Sequence, residues 1–194
     1  SVTDILDGIS AAIRYELGPV KVNCVVQRGV NEHQIPKLVR KFRGTGVIVR
    51  FIEFMDVGST NGWTQGQVVP TSEIIDFLSS EFDLIPLARK SASDVASRWA
   101  HSDDSGEIGF ISSVSQPFCG DCVRARLSSD GKFFTCLFTT TGHDMSALIK
   151  SGGKTEVLTQ SIEEVWSARK DRYSEERTSV AISLPRVEMS YIGG

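Results

Sequence analysis

Residues 20–55 read VKVNCVVQRGVNEHQIPKLVRKFRGTGVIVRFIEFM, and this stretch decides the fold class. Its two ends, residues 20–27 and 47–55, are apolar, β-branched runs of strand length. Apolar residues between them recur at a helical spacing, Asn31 could cap that helix, and glycines from Gly44 onward end it. A strand, helix and strand at this spacing predict a βαβ unit in a buried parallel sheet or barrel.

The rest of the chain predicts further helices and strands around this unit. Apolar residues at a helical spacing predict a first helix at residues 2–17, which Gly18-Pro19 ends. Residues 56–70 are a Gly- and Asn-rich loop, and residues 90–105 are a polar stretch that ends in a turn. The remaining predicted elements are helices at 71–82 (capped by Thr71), 145–150 and 155–172, and a strand at 109–114.

Length and composition limit the class of protein. The 194 residues, 40% of them hydrophobic, are sufficient for a folded core. The net charge is −3 with no long basic run, so nothing indicates nucleic-acid binding. Without a long apolar run or a signal peptide at its start, the chain is expected to be cytoplasmic and not membrane-bound. Disulfides are rare in that compartment, so the cysteines indicate metal or redox chemistry.

Polar side chains interrupt the two apolar strands, and two interpretations of them stay open. Lys21 and Asn23 share one face of the first strand, and Arg50 and Glu53 lie in the second. In one interpretation Lys21 is solvated at the strand end and Arg50 pairs with Glu53. In the other these side chains line a ligand pocket at the end of a barrel or sheet.

Three cysteines lie close together in the second half of the sequence. Cys119 and Cys122 form a C-x-x-C pair, and residues 123–136 alternate on both sides of Ser129-Asp130-Gly131, which predicts a β-hairpin. Such a hairpin returns Cys136 towards the pair. The residues leave open a structural zinc site with His143 or His101 as fourth ligand, buried packing thiols as at Cys24, or an iron–sulfur cluster with one open iron.

Two arginines follow the C-x-x-C pair at alternate positions. On a strand, Arg124 and Arg126 would lie on the same face as Cys122. Guanidinium groups beside metal-bound thiolates would form a pocket for phosphate or carboxylate oxygens. The simpler interpretation is a solvated strand face, and we favour the pocket.

Residues 109–138, GFISSVSQPFCGDCVRARLSSDGKFFTCLF, closely resemble the carboxy-terminal cluster motif of the GTP 3′,8-cyclase family, radical S-adenosylmethionine enzymes of molybdenum cofactor biosynthesis. Residues 20–32 and 49–63 resemble two strands of that family's barrel, and Gly193-Gly194 its double-glycine tail. The resemblance implies an α/β fold: the carboxy-terminal part of an incomplete (βα)6 TIM-like barrel in residues 1–70, then a cluster- and GTP-binding subdomain with a β-hairpin in residues 71–194.

The resemblance also implies a role for individual residues. Cys119, Cys122 and Cys136 would hold a [4Fe–4S] cluster whose open iron contacts the purine of GTP. Further residues would act at the substrate and the cofactor: Lys21 and Arg50 at the GTP triphosphate, Arg124 and Arg126 at the substrate as catalytic residues, Asn23 and Met55 at S-adenosylmethionine, and Gly193 and Gly194 as a tail that reaches into the active site.

One motif of the family is missing from this sequence. Radical S-adenosylmethionine enzymes carry an early C-x-x-x-C-x-x-C motif for the cluster that cleaves the cofactor, whereas Cys24 is the only cysteine before Cys119. The chain is therefore expected to be the carboxy-terminal portion of a longer protein and to be inactive alone. The second [4Fe–4S] cluster would lie in the missing portion.

For the complete enzyme, the resemblance implies that S-adenosylmethionine yields a 5′-deoxyadenosyl radical, which starts the conversion of GTP to 3′,8-cyclo-7,8-dihydro-GTP. An electron donor would supply the electron, and cyclic pyranopterin monophosphate synthase would take the product. A homodimer is compatible with this interpretation. The alternative from another class is a non-catalytic Cys3His zinc module that contacts a protein or a nucleic acid.

Overall fold

The computed structural model describes residues 1–91, 93–152, 154–177 and 187–192, and the chain divides into two compact units. The first, which we name the sheet unit, comprises Ser1–Phe54 and Gln65–Gln116. The second, the cysteine unit, comprises Met55–Thr64 and Pro117–Gly194. No helix in the described part of the chain is long and apolar enough to cross a membrane.

The sheet unit is a mixed α/β structure. Its helices and strands are, in chain order, α1 (Val2–Arg14), β1 (Lys21–Val26), α2 (Ile35–Phe42), β2 (Ile48–Glu53), α3 (Thr71–Ser79), β3 (Leu84–Leu87), β4 (Ser97–His101) and β5 (Glu107–Ile111). The five strands are ordered β1-β2-β5-β4-β3. β1 pairs with β2 and β2 with β5 in parallel, which confirms the predicted βαβ unit. The other two pairings are antiparallel.

The core of the sheet unit lies between one face of this sheet and the helices α2 and α3. Alternate residues of β2 are buried, as the pleat of a strand requires when one face is covered. The apolar stripes of both helices cover that face. The fully buried side chains of this core include Val39, Phe51, Ile74, Leu78 and Phe110.

The two predicted helix caps are wrong, because hydrogen bonds outside the helices occupy those side chains. Asn31 precedes a short 3₁₀ turn and makes no side-chain cap bond. Its Oδ1 accepts from the Gln27 backbone N–H at 2.8 Å, and its Nδ2 donates to the Val25 carbonyl at 2.8 Å. Thr71 is the first residue of α3 rather than its cap, and its hydroxyl accepts from Ser112 Oγ at 2.8 Å.

The prediction of a polar, turn-like stretch at residues 90–105 is only partly right. β4 lies inside it, pairs with β3 and β5, and places Trp99 against the core. The turn itself is present, with the Asp104 N–H donating to the His101 carbonyl at 3.0 Å. Five residues that contain serine, arginine and histidine carry too weak an alternation to predict a strand.

The described residues of the cysteine unit form a small antiparallel sheet and three α-helices. Its elements are β6 (Arg126–Leu127), β7 (Lys132–Phe134), β8 (His143–Asp144), α4 (Ser146–Lys150), α5 (Thr155–Ser167) and α6 (Tyr173–Glu176). The predicted hairpin is confirmed as the β6–β7 pair. At its tip the Gly131 N–H donates to the Ser128 carbonyl at 3.0 Å, and Gly131 adopts φ +89°, a conformation that favours glycine.

A buried ion pair ties the 55–64 loop of the cysteine unit to α6 and the residue after it. Asp56 accepts from Arg177 Nε at 2.9 Å and from the Tyr173 hydroxyl at 2.6 Å. The Arg177 guanidinium lies over the rings of Phe138 and Trp63, 5.4 and 5.9 Å from their centroids. These contacts hold residues 56–63, which follow Met55, against Tyr173 and Arg177.

Candidate cysteine centre and basic pocket

The hairpin brings the three cysteines of the motif into electrostatic range of one another. Cys119 opens a 3₁₀ turn, and the Cys122 N–H donates back to the Cys119 carbonyl at 3.2 Å. Cys136 follows β7, and its Sγ accepts from the Phe138 N–H at 3.4 Å. All three are free, partly buried thiols.

The surroundings of these thiols act on their pKa values in opposite directions. Burial by itself raises the pKa of Cys122, but hydrogen bonds and positive charge from Arg124, with the charge of Arg169, outweigh it and lower the pKa overall. Burial raises the pKa of Cys136, and negative charge on Asp171, Cys119 and Cys122 adds to this effect. Cys122 therefore loses its proton more readily than an ordinary cysteine, and the thiolate is the form that binds metals.

The donor set of this centre fits a soft metal or an iron–sulfur cluster. The three free thiols lie within electrostatic range of one another, and Arg124 lowers the pKa of Cys122. Such thiols are suitable ligands for iron or zinc. Across the described ranges, no three His, Cys, Asp or Glu side chains converge closely enough to form a preorganised metal site.

At least four arginines in the described part of the chain interact with the thiols. The sequence identified Arg124 and Arg126 but neither Arg169 nor Arg172, which interacts electrostatically with Cys119. Arg124 Nη2 lies 3.6 Å from Cys122 Sγ, and its guanidinium lies 4.9 Å from the centroid of the Phe118 ring. Burial and the charge of Arg124 lower the pKa of Arg126, while Cys122 and Cys136 act in the opposite direction. β6 begins only at Arg126, so strand alternation does not determine where Arg124 lies.

Arg169 is the third of these arginines, and sequence reasoning missed it. Its Nη2 donates to the Cys122 carbonyl at 2.5 Å, and its guanidinium lies 4.0 Å from the centroid of the Trp166 ring. It follows α5, 47 positions after Cys122. An arginine after an amphipathic helix carries no local signal of such a contact.

The two histidines considered as zinc ligands lie in different surroundings. His143 is exposed on β8 and faces a cavity that it shares with Thr135, Glu164 and Arg169. His101 belongs to the sheet unit, where it is buried with its ring against the edge of Phe82.

Lys21, Asn23 and Arg50 come together in the sheet unit. Arg50 Nε donates to Asn23 Oδ1 at 2.8 Å across the β1–β2 pair. Lys21 and Arg50 line a pocket of about 300 Å³. Lys90 and Arg98, which the sequence analysis did not single out, line it as well, because the missed strand β4 and the loop before it form one wall.

Arg50 does not pair with Glu53, so that part of the first interpretation is wrong, whereas Lys21 is exposed as the same interpretation expected. Glu53 is fully buried, and its carboxylate accepts from the backbone N–H groups of Thr71, Val114 and Ser115, each at 2.8 Å. The Ser115 hydroxyl donates to it as well. The two side chains lie on opposite faces because they are three positions apart along β2, and side chains alternate between the two faces of a strand.

The remaining predicted site residues belong to the cysteine unit. Met55 is its first residue, and the Met55 carbonyl accepts from Asn61 Nδ2 at 3.0 Å. Gly193 and Gly194 lie outside the described residues. Of the residues just before them, Ile192 is buried, and Tyr191 donates from its hydroxyl to Asp130 Oδ2 at 2.6 Å.

A thiol centre flanked by guanidinium groups is typical of proteins that bind a metal or cluster next to an anion. Residues 47–175 match the family model described as Molybdenum Cofactor Synthesis C, and the chain belongs to that family. The resemblance drawn from the sequence is thereby confirmed.

Three relatives of this chain are longer than the chain itself. It is 48% identical over 193 residues to a GTP 3′,8-cyclase of Xanthomonas axonopodis pv. citri, which matches all of this chain and 57% of the relative. The GTP 3′,8-cyclase of Staphylococcus haemolyticus is 43% identical, covering 99% of this chain and 57% of the relative. The GTP 3′,8-cyclase of Acidothermus cellulolyticus is 41% identical, covering 98% of this chain and 60% of the relative. The chain thus spans a little over half the length of these relatives.

Proposed function

We propose that this chain is the substrate-binding portion of a GTP 3′,8-cyclase, which converts GTP to 3′,8-cyclo-7,8-dihydro-GTP in molybdenum cofactor biosynthesis. The observation that carries the proposal is a set of three free thiols beside two arginines in a chain of this family. Arg124 donates a hydrogen bond to Cys122 Sγ, and Arg126 lies within electrostatic range of Cys122 and Cys136. Thiolates and arginines at one place provide ligands for a cluster and hydrogen-bond donors for an anionic substrate.

Cys119, Cys122 and Cys136 would hold a [4Fe–4S] cluster, which would supply an open iron as a Lewis acid for the purine. Arg124 and Arg126 would act beside it as hydrogen-bond donors to the substrate. Because a guanidinium is planar and stays charged, it can orient substrate oxygens without exchanging a proton. The contribution of these residues is positioning and electrostatic stabilisation.

The other residues take roles by the family resemblance. Lys21 and Arg50 would neutralise the triphosphate of GTP, and the pocket that they line is large enough for phosphate groups. Asn23 and Met55 would contact S-adenosylmethionine. The absence of a side chain would let a Gly193-Gly194 tail enter a narrow active site.

The longer protein would complete the sheet unit as an incomplete (βα)6 barrel. β1 is at the edge of the sheet, so its outer side is available for another parallel strand. In this proposal residues 1–70 supply barrel strands and helices and residues 71–194 include the cluster-binding part, with residues 71–116 packed into the sheet unit. A second [4Fe–4S] cluster, S-adenosylmethionine and an electron donor would act in the complete, cytoplasmic enzyme, and cyclic pyranopterin monophosphate synthase would use the product.

Iron and sulfide analysis after anaerobic reconstitution tests this proposal. We expect a brown protein with about four irons in this chain. Cys136→Ser should lower the iron content, whereas Cys24→Ser should leave it unchanged, because Cys24 lies on β1 in the sheet unit. A colourless protein that holds one zinc would overturn the proposal and favour the Cys3His module. Equal iron contents in the two variants would overturn the ligand assignment.

Substrate binding provides a second test that does not depend on turnover. Arg126→Ala should weaken GTP binding at least tenfold, because a hydrogen bond to a charged group is worth about 1.5–3 kcal/mol. Arg14→Ala is a matched control, since Arg14 ends the exposed helix α1. If both variants bind GTP like the parent protein, Arg126 is only a solvated residue.

A further inference from the structure

The pocket beside Lys21 and Arg50 carries more positive charge than these two residues supply. Its lining includes four cationic side chains (Lys21, Arg50, Lys90 and Arg98) and two anionic ones (Asp94 and Glu107). The lining is therefore net positive by two charges. Whether a charged side chain is available to a ligand depends on the ion pairs and hydrogen bonds that it already makes within the protein.

Arg98 and Glu107 neutralise each other. Arg98 Nε donates to Glu107 Oε1 at 2.8 Å and Nη2 donates to Oε2 at 2.7 Å, a bidentate pair across β4 and β5. The two side chains are 18% and 21% exposed, so the pair is shielded from solvent. Arg98 Nη1 also donates to the Ala88 carbonyl at 3.2 Å. This arginine is a structural part of the pocket wall.

Asp94 holds the loop that carries Lys90. Its Oδ2 accepts from the Lys90 N–H at 2.9 Å and from the Ser91 N–H at 3.1 Å. Its carbonyl accepts from Arg89 Nη2 at 2.8 Å. The Asp94 carboxylate is thus used by backbone donors, and the Lys90 main chain is fixed at the edge of the pocket.

Three cations remain for a ligand. Among the described residues, Lys21, Arg50 and Lys90 make no ion pair, and the Arg50 side chain is oriented by its hydrogen bond to Asn23. A lysine ammonium is a compact point charge that binds phosphate from a flexible stem. Two lysine ammonium groups and one arginine guanidinium around about 300 Å³ suit a ligand with several adjacent phosphates better than a single carboxylate.

We propose that Lys90 is a third phosphate-binding residue of this pocket, acting with Lys21 and Arg50 on a polyphosphate. The identity of the ligand as GTP rests on the proposed function, but the polyphosphate chemistry follows from the charges of the lining. Lys90 provides a contact that the two strands cannot, because it approaches from the loop before β4.

Titration of the intact chain with inorganic tripolyphosphate, and separately with GTP, tests this inference. Lys90→Ala should weaken tripolyphosphate binding about tenfold, the usual effect of one lost charge-assisted hydrogen bond. Lys90→Arg should restore most of the affinity. Lys37→Ala is the matched control, because Lys37 is an exposed lysine on α2 outside the pocket, and it should bind like the parent.

The outcomes separate this inference from the proposed function. If Lys90→Ala binds tripolyphosphate like the parent while Lys21→Ala and Arg50→Ala bind weakly, the inference is overturned and the GTP proposal stands. If tripolyphosphate binds through all three residues but GTP does not bind, the proposed function is overturned and the anion pocket stands. Equal thermal melting of Lys90→Ala and the parent excludes unfolding as the cause of weaker binding.

Discussion

Gly109 on β5 lies opposite Arg50 on β2, and its missing side chain leaves room for the Arg50 stem. A Cβ at Gly109 would stand 3.0 Å from Arg50 Cγ and 3.4 Å from Arg50 Cδ. On the other side of β2, Arg50 is paired with Asn23 and donates to it. Contacts with β1 on one side and β5 on the other thus orient the Arg50 side chain along the pocket wall.

We expect Gly109→Ala to weaken tripolyphosphate binding about three- to tenfold, because the Arg50 stem must move away from the new methyl group. Gly66→Ala is the control, since no atom lies within 4 Å of the Cβ that it would add. Isothermal titration measures both affinities. In an Arg50→Ala background, Gly109→Ala should cause no further loss, and an additive loss would contradict a role through Arg50.

Glu53 is expected to be essential for the stability of the sheet unit. Its buried carboxylate accepts three backbone hydrogen bonds and one from a hydroxyl, and it joins the start of α3 to residues 114 and 115. Glu53→Gln should lower the free energy of unfolding by about 2–4 kcal/mol, because an amide N–H₂ group would face these donors. Urea denaturation measures the change. Glu73→Gln, at an exposed ion pair with Arg28, should lower it by less than about 1 kcal/mol.

The hydrogen-bond partners of Glu53 and Arg169 show what sequence reasoning can and cannot predict. Hydrophobic periodicity predicted β1, α2 and β2, because burial on one face imposes a local pattern. The partners of Glu53 lie 18, 61 and 62 positions away, and only the folded chain brings them together. The hydrogen bond from Arg169 to the Cys122 carbonyl likewise joins residues that are 47 positions apart. Local spacing predicted the cysteine hairpin, whereas contacts between distant segments had no signal.

The buried His101 should make the stability of the sheet unit depend on pH. Burial, with the nearby charge of Arg43, lowers the pKa of His101 below its usual value of 6.5, and Asp103 offsets this only partly. Above pH 6.5 neither state is protonated. As the pH falls below 6.5, the unfolded chain binds a proton that the folded chain does not, so stability decreases.

The expected decrease is at most about 1.4 kcal/mol per pH unit, the value for one proton. It ends once the pH has fallen through the lowered pKa of the folded state. Urea denaturation at several pH values between 7 and 5 measures it. His101→Leu should remove this slope, and His33→Gln, at an exposed histidine, should preserve it. An identical slope in His101→Leu would show that other groups cause the dependence.

The buried Asp56–Arg177 pair should be the most sensitive ionic contact of the cysteine unit. Both side chains are 7% exposed, so removing the arginine leaves a buried carboxylate without the Arg177 guanidinium beside it, although the Tyr173 hydroxyl still donates to it. We expect Arg177→Met to lower the free energy of unfolding by about 3–5 kcal/mol. Denaturant unfolding followed by tryptophan fluorescence measures the loss.

Two further variants separate the effect of the ion pair from that of general packing. Adding Asp56→Asn to Arg177→Met should recover part of the stability, because no uncompensated charge remains buried. Arg40→Met breaks an exposed pair with Glu81 and should cost far less stability than Arg177→Met, because solvent screens exposed charges. Equal losses from Arg40→Met and Arg177→Met would contradict the importance of burial.

The contacts of Tyr191 should determine where the double-glycine tail can act. Its hydroxyl donates to Asp130 at the tip of the hairpin, and its ring packs edge-on against Phe134 with a centroid distance of 6.2 Å. Ile192, the next residue, is 1% exposed. Two extended residues span at most about 7 Å, so this anchor limits how far Gly193 and Gly194 can reach.

If these glycines act in catalysis as proposed, loss of the anchor should resemble loss of the tail. In the longer enzyme, Tyr191→Ala and deletion of Gly193 and Gly194 should both abolish turnover, while GTP affinity and iron content stay close to those of the parent. Tyr191→Phe keeps the ring and loses only the hydrogen bond to Asp130, so it should retain part of the activity. Tyr15→Ala, at an exposed tyrosine after α1, serves as the control. Full turnover in Tyr191→Ala would show that Gly193 and Gly194 are positioned without the contacts of Tyr191.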